Sequence, residues 1–423
     1  MPQRPRPSVV LATRIFTPEA AAASFRLDAL SRALRDAGAR VRVVTSEPPR
    51  VDTSRDPEGV EVSRFPSLRG RDGYIRGYLQ YLSFDVPLLF RLLARRRPSV
   101  LVAEPPPTTG AVVRLVAGAL GVPYAYYAAD VWSDAARSAG IPGPVVACLR
   151  VVESFALRGA GTVIAVNEGV AERVRALGAR HVDVVLNGID TEVFTPPAPG
   201  TVSPTCDADP STRSDDAGTS AAVDGQGTPH GAAAPGTPPA AMPGHVLVYA
   251  GTASEWQGAG VFVDAFRLLE AEHPELHLVY VGQGSDIPAI RARAAGDPRI
   301  HFVGQVPPAE AATWQARAEA ALVSIVPGRG YDFAYPTKVL AALACGTPVV
   351  FAGVGPVVED VRSADLGAVA GHSAHSVAAA IRDVLSRPRD PGRLRAWVQE
   401  HRSLEATGRA AARAVLALVP GGD

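Results

Sequence analysis

Residues 335–359 read YPTKVLAALACGTPVVFAGVGPVVE, and this stretch is the strongest indication of the fold in the sequence. Pro336 suits a first helical turn, because its missing N–H group needs no partner there. A helix of small residues follows and stops at Gly346, and a buried strand then leads into a second glycine turn. The order of helix, glycine, strand and glycine is typical of one unit of a parallel α/β sheet.

The same alternation of short β-branched runs and helical patterns extends through both halves of the chain. Strands that alternate with helices form parallel sheets, because each helix carries the chain back to start the next strand alongside. The pattern predicts strands at 8–13, 40–46, 100–103, 124–129, 162–166, 182–186, 245–250, 276–281, 300–303, 320–325, 348–351 and 368–370. Helices are predicted in the intervals between strands and also at 20–37, 373–386 and 391–418.

Residues 196–244 differ from the rest of the chain, because they are rich in Pro, Gly, Ala, Ser, Thr and Asp and poor in large apolar side chains. Such a segment cannot bury enough surface to offset the entropy of an ordered chain, so we predict a disordered linker. It separates a first domain, 1–195, from a second, 245–404. We therefore expect an α/β protein of two Rossmann-like domains whose parallel sheets face a central cleft.

Composition argues against several classes of function. The 42 Lys and Arg residues balance 42 Asp and Glu residues, so no overall basic surface suggests nucleic acid as a partner. The three cysteines are widely spaced and the nine histidines show no ligand spacing, so we predict no metal and a reduced, cytoplasmic setting. The Asp207-Ala208-Asp209 triplet looks like a metal-binding pattern but lies in the predicted linker. No apolar run approaches the roughly 18 residues of a membrane span.

Glycine-containing turns follow two strands of the second half, those at 245–250 and 276–281. Glycine lets backbone N–H groups approach a ligand, so these turns are candidates for binding an anionic donor. Tight strand-to-helix connections would leave the same pattern. No G-x-G-x-x-G motif follows a strand, so a nicotinamide or flavin has little support and we predict no cofactor. The candidate contacts are Gly251, Thr252, Gln257, Gly282 and Gly284.

Lys338 is the only lysine in a chain that uses arginine at every other basic position. Lysine is a compact point charge and arginine a wide planar fork, so the two are not interchangeable at a tight anion site. A single lysine must also fall somewhere by chance. Thr337 and Lys338 lie at a predicted helix N-terminus, where N–H groups, helix dipole and ammonium together would hold a pyrophosphate. Tyr335 and Glu359 bound this candidate pocket; alternatively, Glu359 merely complements a helix dipole.

Several segments resemble one enzyme family. Tyr249 to Gly258, Pro336-Thr337-Lys338 and the turn from Cys345 to Val350 are similar to the donor-binding domain of retaining GT-B glycosyltransferases of family four. The subgroup resembled most is that of bacterial N-acetylsugar and fucosamine transferases of surface-polysaccharide assembly. In the first half, Asp130-Val131-Trp132-Ser133 and Asn187-Gly188-Ile189-Asp190 resemble two further segments of the family.

The resemblance implies a nucleotide-diphosphate sugar as donor, with Lys338 binding the diphosphate and acting as a catalytic residue. It implies hexosyl or N-acetylhexosaminyl transfer with retention of configuration and without a metal. The acceptor would be a polysaccharide precursor or a lipid-linked molecule. Residues 404–407 resemble the family's tail, so the last helix, about 405–423, is expected to pack back on the first domain.

Two positions depart from the family's pattern. The family usually has a Glu-x7-Glu pair that grips the donor ribose, with the second glutamate three residues after the lysine. Here Phe333 and Ala341 stand at these positions. Losing such charge-assisted hydrogen bonds typically costs about 1–3 kcal/mol. Either Asp332 or Glu359 substitutes, or the donor differs, or the chain is a weakened or inactive relative.

Candidate acceptor residues end strands of the first half. We predict that Asp130 is a catalytic residue that orients or deprotonates an acceptor hydroxyl, with Arg14 and Trp132 on the same side. The alternative is that Asp130 caps the next helix. The resemblance implies that the leaving phosphate can itself take the acceptor proton, so no protein base is required.

Residues 69–97 mix arginines with aromatic side chains. Such a stretch can lie on an anionic membrane surface, so we expect peripheral contact at the inner face of the membrane, where a lipid-linked acceptor would be found. The alternative is a core helix with the leucines at 88, 89, 92 and 93 inward and the arginines outward.

Glycosyl transfer is thus the predicted function. An inactive relative that acts as a partner or scaffold is an alternative, because of Ala341. A sugar-nucleotide 2-epimerase of the same fold is a further alternative. It would need clustered catalytic carboxylates and a histidine, and the sequence offers no such cluster.

Overall fold

A computed structural model describes residues 6–19, 21–48, 56–70, 75, 77–94, 96–138, 140–196 and 245–419. The linker predicted at 196–244 lies outside the described residues from 197 onward, and so do 420–423 of the predicted last helix. The chain divides into two compact units. The first comprises Met1–Gly188 and Glu400–Asp423, and the second Ile189–Gln399.

The first unit is built on a parallel sheet. Its strands are β1 Ser8–Ala12, β2 Arg40–Ser46, β3 Glu61–Phe65, β4 Val100–Ala103, β5 Tyr124–Ala128, β6 Thr162–Ala165 and β7 Val182–Val184. They lie in the order β3-β2-β1-β4-β5-β6-β7, every pair parallel. The order reverses between β1 and β4, which is where sheets of this kind bind ligands. Its helices include α1 Ala22–Asp36, α2 Tyr78–Leu93, α3 Pro107–Leu120, α4 Trp132–Ser138, α5 Gly143–Gly159 and α6 Glu168–Ala176.

The second unit repeats this design. Its strands are β8 His245–Ala250, β9 Leu276–Val281, β10 Ile300–Val303, β11 Ala320–Ser324, β12 Val349–Ala352 and β13 Gly367–Ala370. The order β10-β9-β8-β11-β12-β13 is again parallel throughout and reverses between β8 and β11. Its helices are α7 Val261–Arg267, α8 Ile287–Ala294, α9 Pro308–Arg317, α10 Thr337–Ala344, α11 Pro356–Ser363, α12 Ala374–Ser386 and α13 Pro391–His401.

The predicted class, α/β with two parallel sheets, is confirmed. Every residue of β4, β5 and β6 is buried, as expected of strands covered by helices on both faces. Sequence reasoning missed β3, which pairs with β2 at the edge of the sheet. Ser63 and Arg64 interrupt its apolar run, and most of its side chains are half-buried.

The single helix predicted at 391–418 is wrong. The structure ends α13 at His401 and begins α14, Leu404–Leu416, after a break. Ser403 stabilises the new start, because its Oγ accepts a hydrogen bond from the Ala406 N–H at 3.0 Å. Helix α14 packs on α1 within the first unit, so closely that a Cβ on Gly408 would lie 2.6 Å from the Ala29 carbonyl oxygen.

Two helical glycines provide a matched test of this packing. Gly408→Ala is expected to lower the melting temperature, since the added methyl group collides with the Ala29 backbone. Gly118→Ala, in α3, is expected to stabilise by about 0.5–1 kcal/mol, because a Cβ there meets nothing within 4 Å. Thermal unfolding measures the change in melting temperature of both variants. Equal effects would contradict the close approach of α14 to α1.

Candidate functional site

The switch point of the second unit is formed by loops that approach one another closely. Gly251 directly follows β8 with φ +124°, and a Cβ there would lie 2.6 Å from Cε of Lys338. Gly282 follows β9 with φ +130°, and a Cβ there would lie 2.4 Å from the carbonyl oxygen of Gly251. Any side chain at either position would therefore displace a neighbouring loop or the lysine.

Lys338 lies across this glycine turn. Its Nζ donates a hydrogen bond to the carbonyl oxygen of Thr252 at 2.6 Å and lies 5.0 Å from the centre of the Tyr249 ring. Burial lowers the pKa of Lys338 to about 8, because a desolvated ammonium is disfavoured. The structure thus places a partly buried, titratable cation at the end of β8.

The N-terminus of α10 adds backbone donors to the same place. Thr337 is its first residue and is exposed, and Pro336 precedes it without a side-chain cap. The first N–H groups of a helix have no partner within it, so they are available to an anion beside the ammonium of Lys338. This assembly can bind a phosphate or pyrophosphate.

Gln257 lies buried within the loop that follows β8, where its side chain holds the loop together. Its side chain is 4% exposed, and Oε1 accepts hydrogen bonds from the Ser254 N–H at 3.0 Å and the Tyr249 hydroxyl at 3.2 Å. Gly284 has a similar role, since a Cβ there would lie 2.0 Å from the Ala253 carbonyl oxygen. Both residues were predicted to contact the donor. In the structure both shape the loop that carries Thr252, and their contact with the donor stays a prediction.

The loop after β11 holds the next predicted residues. The carboxylate of Asp332 accepts hydrogen bonds from the Gly328 N–H at 3.0 and 3.1 Å and so closes its own loop. Its backbone lies against Gly355, where a Cβ would be 2.0 Å from the Asp332 carbonyl oxygen. Tyr335 donates to Asp360 at 2.9 Å, and Glu359 is exposed in the first turn of α11. These loops meet, with the carboxylate of Asp332 already engaged.

Where the family's pattern has two glutamates, the structure shows apolar side chains. Ala341 is 6% exposed inside α10, and Phe333 is 47% exposed. Nearby, the rings of Trp256 and Tyr331 stack with their centres 4.4 Å apart. This stack joins the loop after β8 to the loop after β11. A hydrogen bond joins the same two loops, because the Val326 N–H donates to the Trp256 carbonyl oxygen at 2.9 Å.

The switch point of the first unit has different chemistry. Arg14 follows β1, is 6% exposed and donates through Nη1 to the Ile75 carbonyl oxygen at 2.8 Å. Its guanidinium carbon lies 4.5 Å from the centre of the Tyr81 ring and 5.7 Å from that of Trp132. Burial lowers the pKa of Arg14. The structure therefore brings Arg14 and Trp132 together around the ring of Tyr81, and their contact with an acceptor stays a prediction.

Asp130 lies after β5 and is exposed. The start of α4 is capped by Glu153, whose carboxylate accepts hydrogen bonds from the N–H groups of Trp132 at 2.7 Å and Ser133 at 3.0 Å. The alternative in which Asp130 caps this helix therefore loses its support. Asp130 stays a prediction for contact with the acceptor.

Sequence reasoning missed two buried carboxyl groups at this edge. Glu104 follows β4 and is 8% exposed, and burial raises its pKa to about 7. Asp85 of α2 is 3% exposed and accepts a hydrogen bond from Thr109 at 2.6 Å; burial raises its pKa too. The available signal for Glu104 was its position directly after the four apolar residues of β4.

The described part of the chain contains neither a candidate metal-ligand cluster nor a candidate membrane-spanning helix. Among those residues, no group of three His, Cys, Asp or Glu side chains is placed to hold a metal ion. No helix there is long and apolar enough to cross a bilayer. Metal-independent chemistry stays a prediction, and the Asp207-Ala208-Asp209 triplet lies outside the described residues.

Two parallel α/β units, each with a polar site at its switch point, define a protein of the GT-B type. Residues 21–188 match the family model of a glycosyl transferase 4-like domain, and residues 244–387 match that of glycosyl transferases group 1. Together the two matches span most of the chain, so it belongs to the group 1 glycosyltransferase family.

Named relatives match over part of their length. A D-inositol 3-phosphate glycosyltransferase of Jonesia denitrificans is 35% identical over 26% of this chain and 28% of its own. A GDP-mannose-dependent alpha-(1-6)-phosphatidylinositol dimannoside mannosyltransferase of Mycobacterium tuberculosis is 31% identical over 34% of this chain and 36% of its own. The matched stretch thus covers well under two-thirds of these relatives.

Among solved structures, Anabaena HepE in complex with UDP and glucose has a TM-score of 0.58 at 16% identity. That likeness covers 96% of this chain and 98% of HepE. At this level of identity it shows a shared fold.

The lowered pKa of Lys338 predicts that anion binding depends on pH. Affinity for inorganic pyrophosphate is expected to fall as the pH rises from 7.5 to 9.5, approaching tenfold per unit above a pKa of about 8, because the ammonium loses its proton. Lys338→Arg should bind more weakly at pH 7.5 but show no such fall, since a guanidinium does not titrate there. Calorimetry measures both; a pH-independent wild-type affinity would contradict the role of the ammonium.

Proposed function

We propose that the protein transfers a sugar from a nucleotide-diphosphate donor to a polysaccharide precursor or lipid-linked acceptor, with retention of configuration and without a metal. The observation that carries this is Lys338, the only lysine, held across Gly251 at the N-terminus of α10. Family membership and a fold shared with a UDP-bound structure support it.

In this proposal the second unit binds the donor. The diphosphate leaves as negative charge develops on it, and preorganised donors aimed at that charge stabilise it. Lys338 and the first N–H groups of α10 are such donors, and they need little rearrangement because the glycine turns already fix the lysine. Acceptor groups would be held at the switch point of the first unit, by Asp130, Arg14 and Trp132.

The ribose contact needs a residue other than Ala341. Of the two carboxylates that could replace the missing glutamate, Asp332 already accepts a bifurcated hydrogen bond from the Gly328 N–H of its own loop. We assign the role to Glu359, which is exposed in the first turn of α11, four residues beyond the contact between Gly355 and Asp332.

Two observations point to different donor sugars. The sequence resembles transferases of N-acetylated sugars and fucosamine, whereas the mycobacterial relative is by name dependent on GDP-mannose. We propose a hexosyl or N-acetylhexosaminyl donor. The base is to be identified by experiment.

A panel of UDP-, GDP- and dTDP-sugars tests the proposal. One nucleotide class is expected to raise the melting temperature and to be turned over, as free nucleotide released with an acceptor. Lys338→Ala should weaken binding of that class by about 1.5–3 kcal/mol, since it removes a charged hydrogen-bond donor. Glu310→Gln, which removes a charge from the first turn of α9, serves as the control.

The outcomes of this panel are distinct. Binding without turnover would favour the inactive-relative alternative, for which Ala341 is the supporting observation. No binding of any nucleotide by the wild-type protein would contradict the proposed function.

We also propose that α2 contacts an anionic membrane at its cytoplasmic face. The helix is apolar on two sides: Phe84 and Leu88 are fully buried, whereas another row is exposed. The exposed fractions are 71% at Leu79, 53% at Leu82, 51% at Val86, 63% at Phe90 and 41% at Leu93. Spacings of three and four residues place this row along one face. The exposed Arg91, Arg96 and Arg97 near its end suit anionic headgroups.

The core-helix alternative for residues 69–97 is confirmed at Leu88 and Leu92, which are buried, and at Leu89, which packs against the core; the membrane contact stays a prediction. Tyr81 contacts Arg14 and Arg69 pairs with Glu19, so these residues serve the first unit and not an outer surface. Leu93, expected inward, is exposed. Residues 71–74 and 76 lie outside the described residues.

Sedimentation with vesicles of phosphatidylcholine and phosphatidylglycerol tests the membrane contact. The double variant Leu82→Gln/Phe90→Gln is expected to reduce the bound fraction at least about tenfold, because each buried apolar side chain contributes about 1.5–3 kcal/mol. Leu268→Gln, at a 39% exposed site of the second unit, is the control. Equal binding of both variants would contradict the proposal.

A further inference from the structure

The switch point of the second unit carries a pair of stacked aromatic rings in addition to its cation. The ring of Trp256, in the loop after β8, and the ring of Tyr331, in the loop after β11, have centres 4.4 Å apart and planes 23° apart. Trp256 packs against the core of the unit, whereas Tyr331 is 43% exposed. Because Trp256 covers one face of the tyrosine ring, solvent reaches the other face and the edge. A further ring can therefore extend this stack.

The backbone on each side of Tyr331 is held in place. Its carbonyl oxygen accepts a hydrogen bond from the Ala334 N–H at 2.8 Å, which closes a tight turn. The next residue, Asp332, binds the Gly328 N–H through its carboxylate, and its carbonyl oxygen lies against Gly355. A ring that is fixed before a ligand arrives loses little conformational entropy when it binds. The exposed face of Tyr331 is therefore a preorganised surface.

A buried hydroxyl ties the stacked pair to the cation. The hydroxyl oxygen of Tyr249 lies 2.9 Å from the Thr252 carbonyl oxygen and 3.2 Å from Oε1 of Gln257. The same Thr252 carbonyl oxygen accepts the hydrogen bond from Nζ of Lys338, and Gln257 directly follows Trp256 in the chain. One compact loop thus holds both the ammonium and the ring that supports Tyr331. A ligand bound to the ammonium has the stacked pair beside it.

The position of Glu359 indicates which part of a nucleotide would reach the ring. Glu359, to which we assign the ribose, lies four residues beyond Gly355. Gly355 in turn touches the backbone of Asp332, the chain neighbour of Tyr331. A ribose held by Glu359 therefore places its base on the side of the exposed tyrosine ring. Nucleobases are planar, and they stack on aromatic side chains whatever their sequence of donors and acceptors.

We propose that Tyr331, supported by Trp256, is the stacking surface for the base of the nucleotide-diphosphate donor. The inference rests on the proposed function, because it takes the donor to be a nucleotide. Stacking of a base on an aromatic ring contributes a binding free energy of the same size as a charge-assisted hydrogen bond. The stack therefore offsets the ribose contact that the chain lacks at Phe333 and Ala341, where the family's pattern has glutamates.

Calorimetry with ligands that contain or lack a base tests the proposal. The ligands are inorganic pyrophosphate and the nucleoside diphosphates UDP, GDP and dTDP, all at one pH so that the charge of Lys338 is constant. Tyr331→Leu is expected to bind pyrophosphate as the wild type does, which also shows that the site is intact. It should bind the preferred nucleoside diphosphate about fivefold or more weakly, because the stacking face is gone. Tyr331→Phe keeps that face and should stay within about twofold of the wild type.

Steady-state kinetics with the nucleotide sugar give a second readout. The base is remote from the bond that breaks, so its stacking stabilises the ground state and the transition state equally. Tyr331→Leu should therefore raise KM for the donor by the factor seen in binding and leave kcat nearly unchanged. Tyr331→Phe should restore the wild-type KM. A fall in kcat at an unchanged KM would overturn the assignment of the ring to the base.

The outcomes separate this inference from the function on which it rests. If Tyr331→Leu binds nucleoside diphosphates like the wild type, the stacking role is overturned, while turnover of a nucleotide sugar still supports the proposed function. A loss confined to nucleotide sugars, with nucleoside diphosphates unaffected, would put the sugar on the ring and overturn the assignment to the base. A wild-type protein that neither binds nor turns over any nucleotide sugar would overturn the proposed function and this inference with it.

Discussion

The absence of a side chain at residue 251 is the constraint on which the donor-side geometry depends. The Lys338 side chain occupies the space beside Gly251, where a Cβ would lie 2.6 Å from Cε, and so its Nζ reaches the Thr252 carbonyl oxygen. Gly282 in turn lets the loop after β9 pack beneath Gly251. The result is a partly buried cation fixed beside a helix N-terminus, an arrangement that favours a phosphate-bearing ligand.

The two units share a strand order but use it for different chemistry. In the second unit the switch point between β8 and β11 is bordered by glycines and one lysine. In the first unit the switch point between β1 and β4 is bordered by Arg14, Glu104 and the ring of Tyr81. A cation in a glycine turn suits a diphosphate, whereas mixed charges and rings suit a sugar hydroxyl. This contrast is the basis on which we propose a donor site in the second unit and an acceptor site in the first.

The sequence predicted features whose cause is local and missed those whose cause is tertiary. Period and glycine punctuation predicted β4, β8, β9 and β10 with the observed ends. Lys338 was recognised as a candidate residue in the sequence because it is the only lysine. Glu104 was missed because its significance comes from burial and from Thr13, which is 91 positions away in the chain. Periodicity also shows that α2 has apolar faces but not which of them the fold covers.

The most direct test uses the single lysine. Protein labelled with carbon-13 at lysine Cε should give one lysine side-chain resonance, because Lys338 has no competitor. It is expected to titrate near pH 8 in the free protein, and to titrate at higher pH once a nucleoside diphosphate binds, since the anion stabilises the ammonium. A resonance that titrates near 10.5, the ordinary value, and does not respond to any nucleotide would contradict the account.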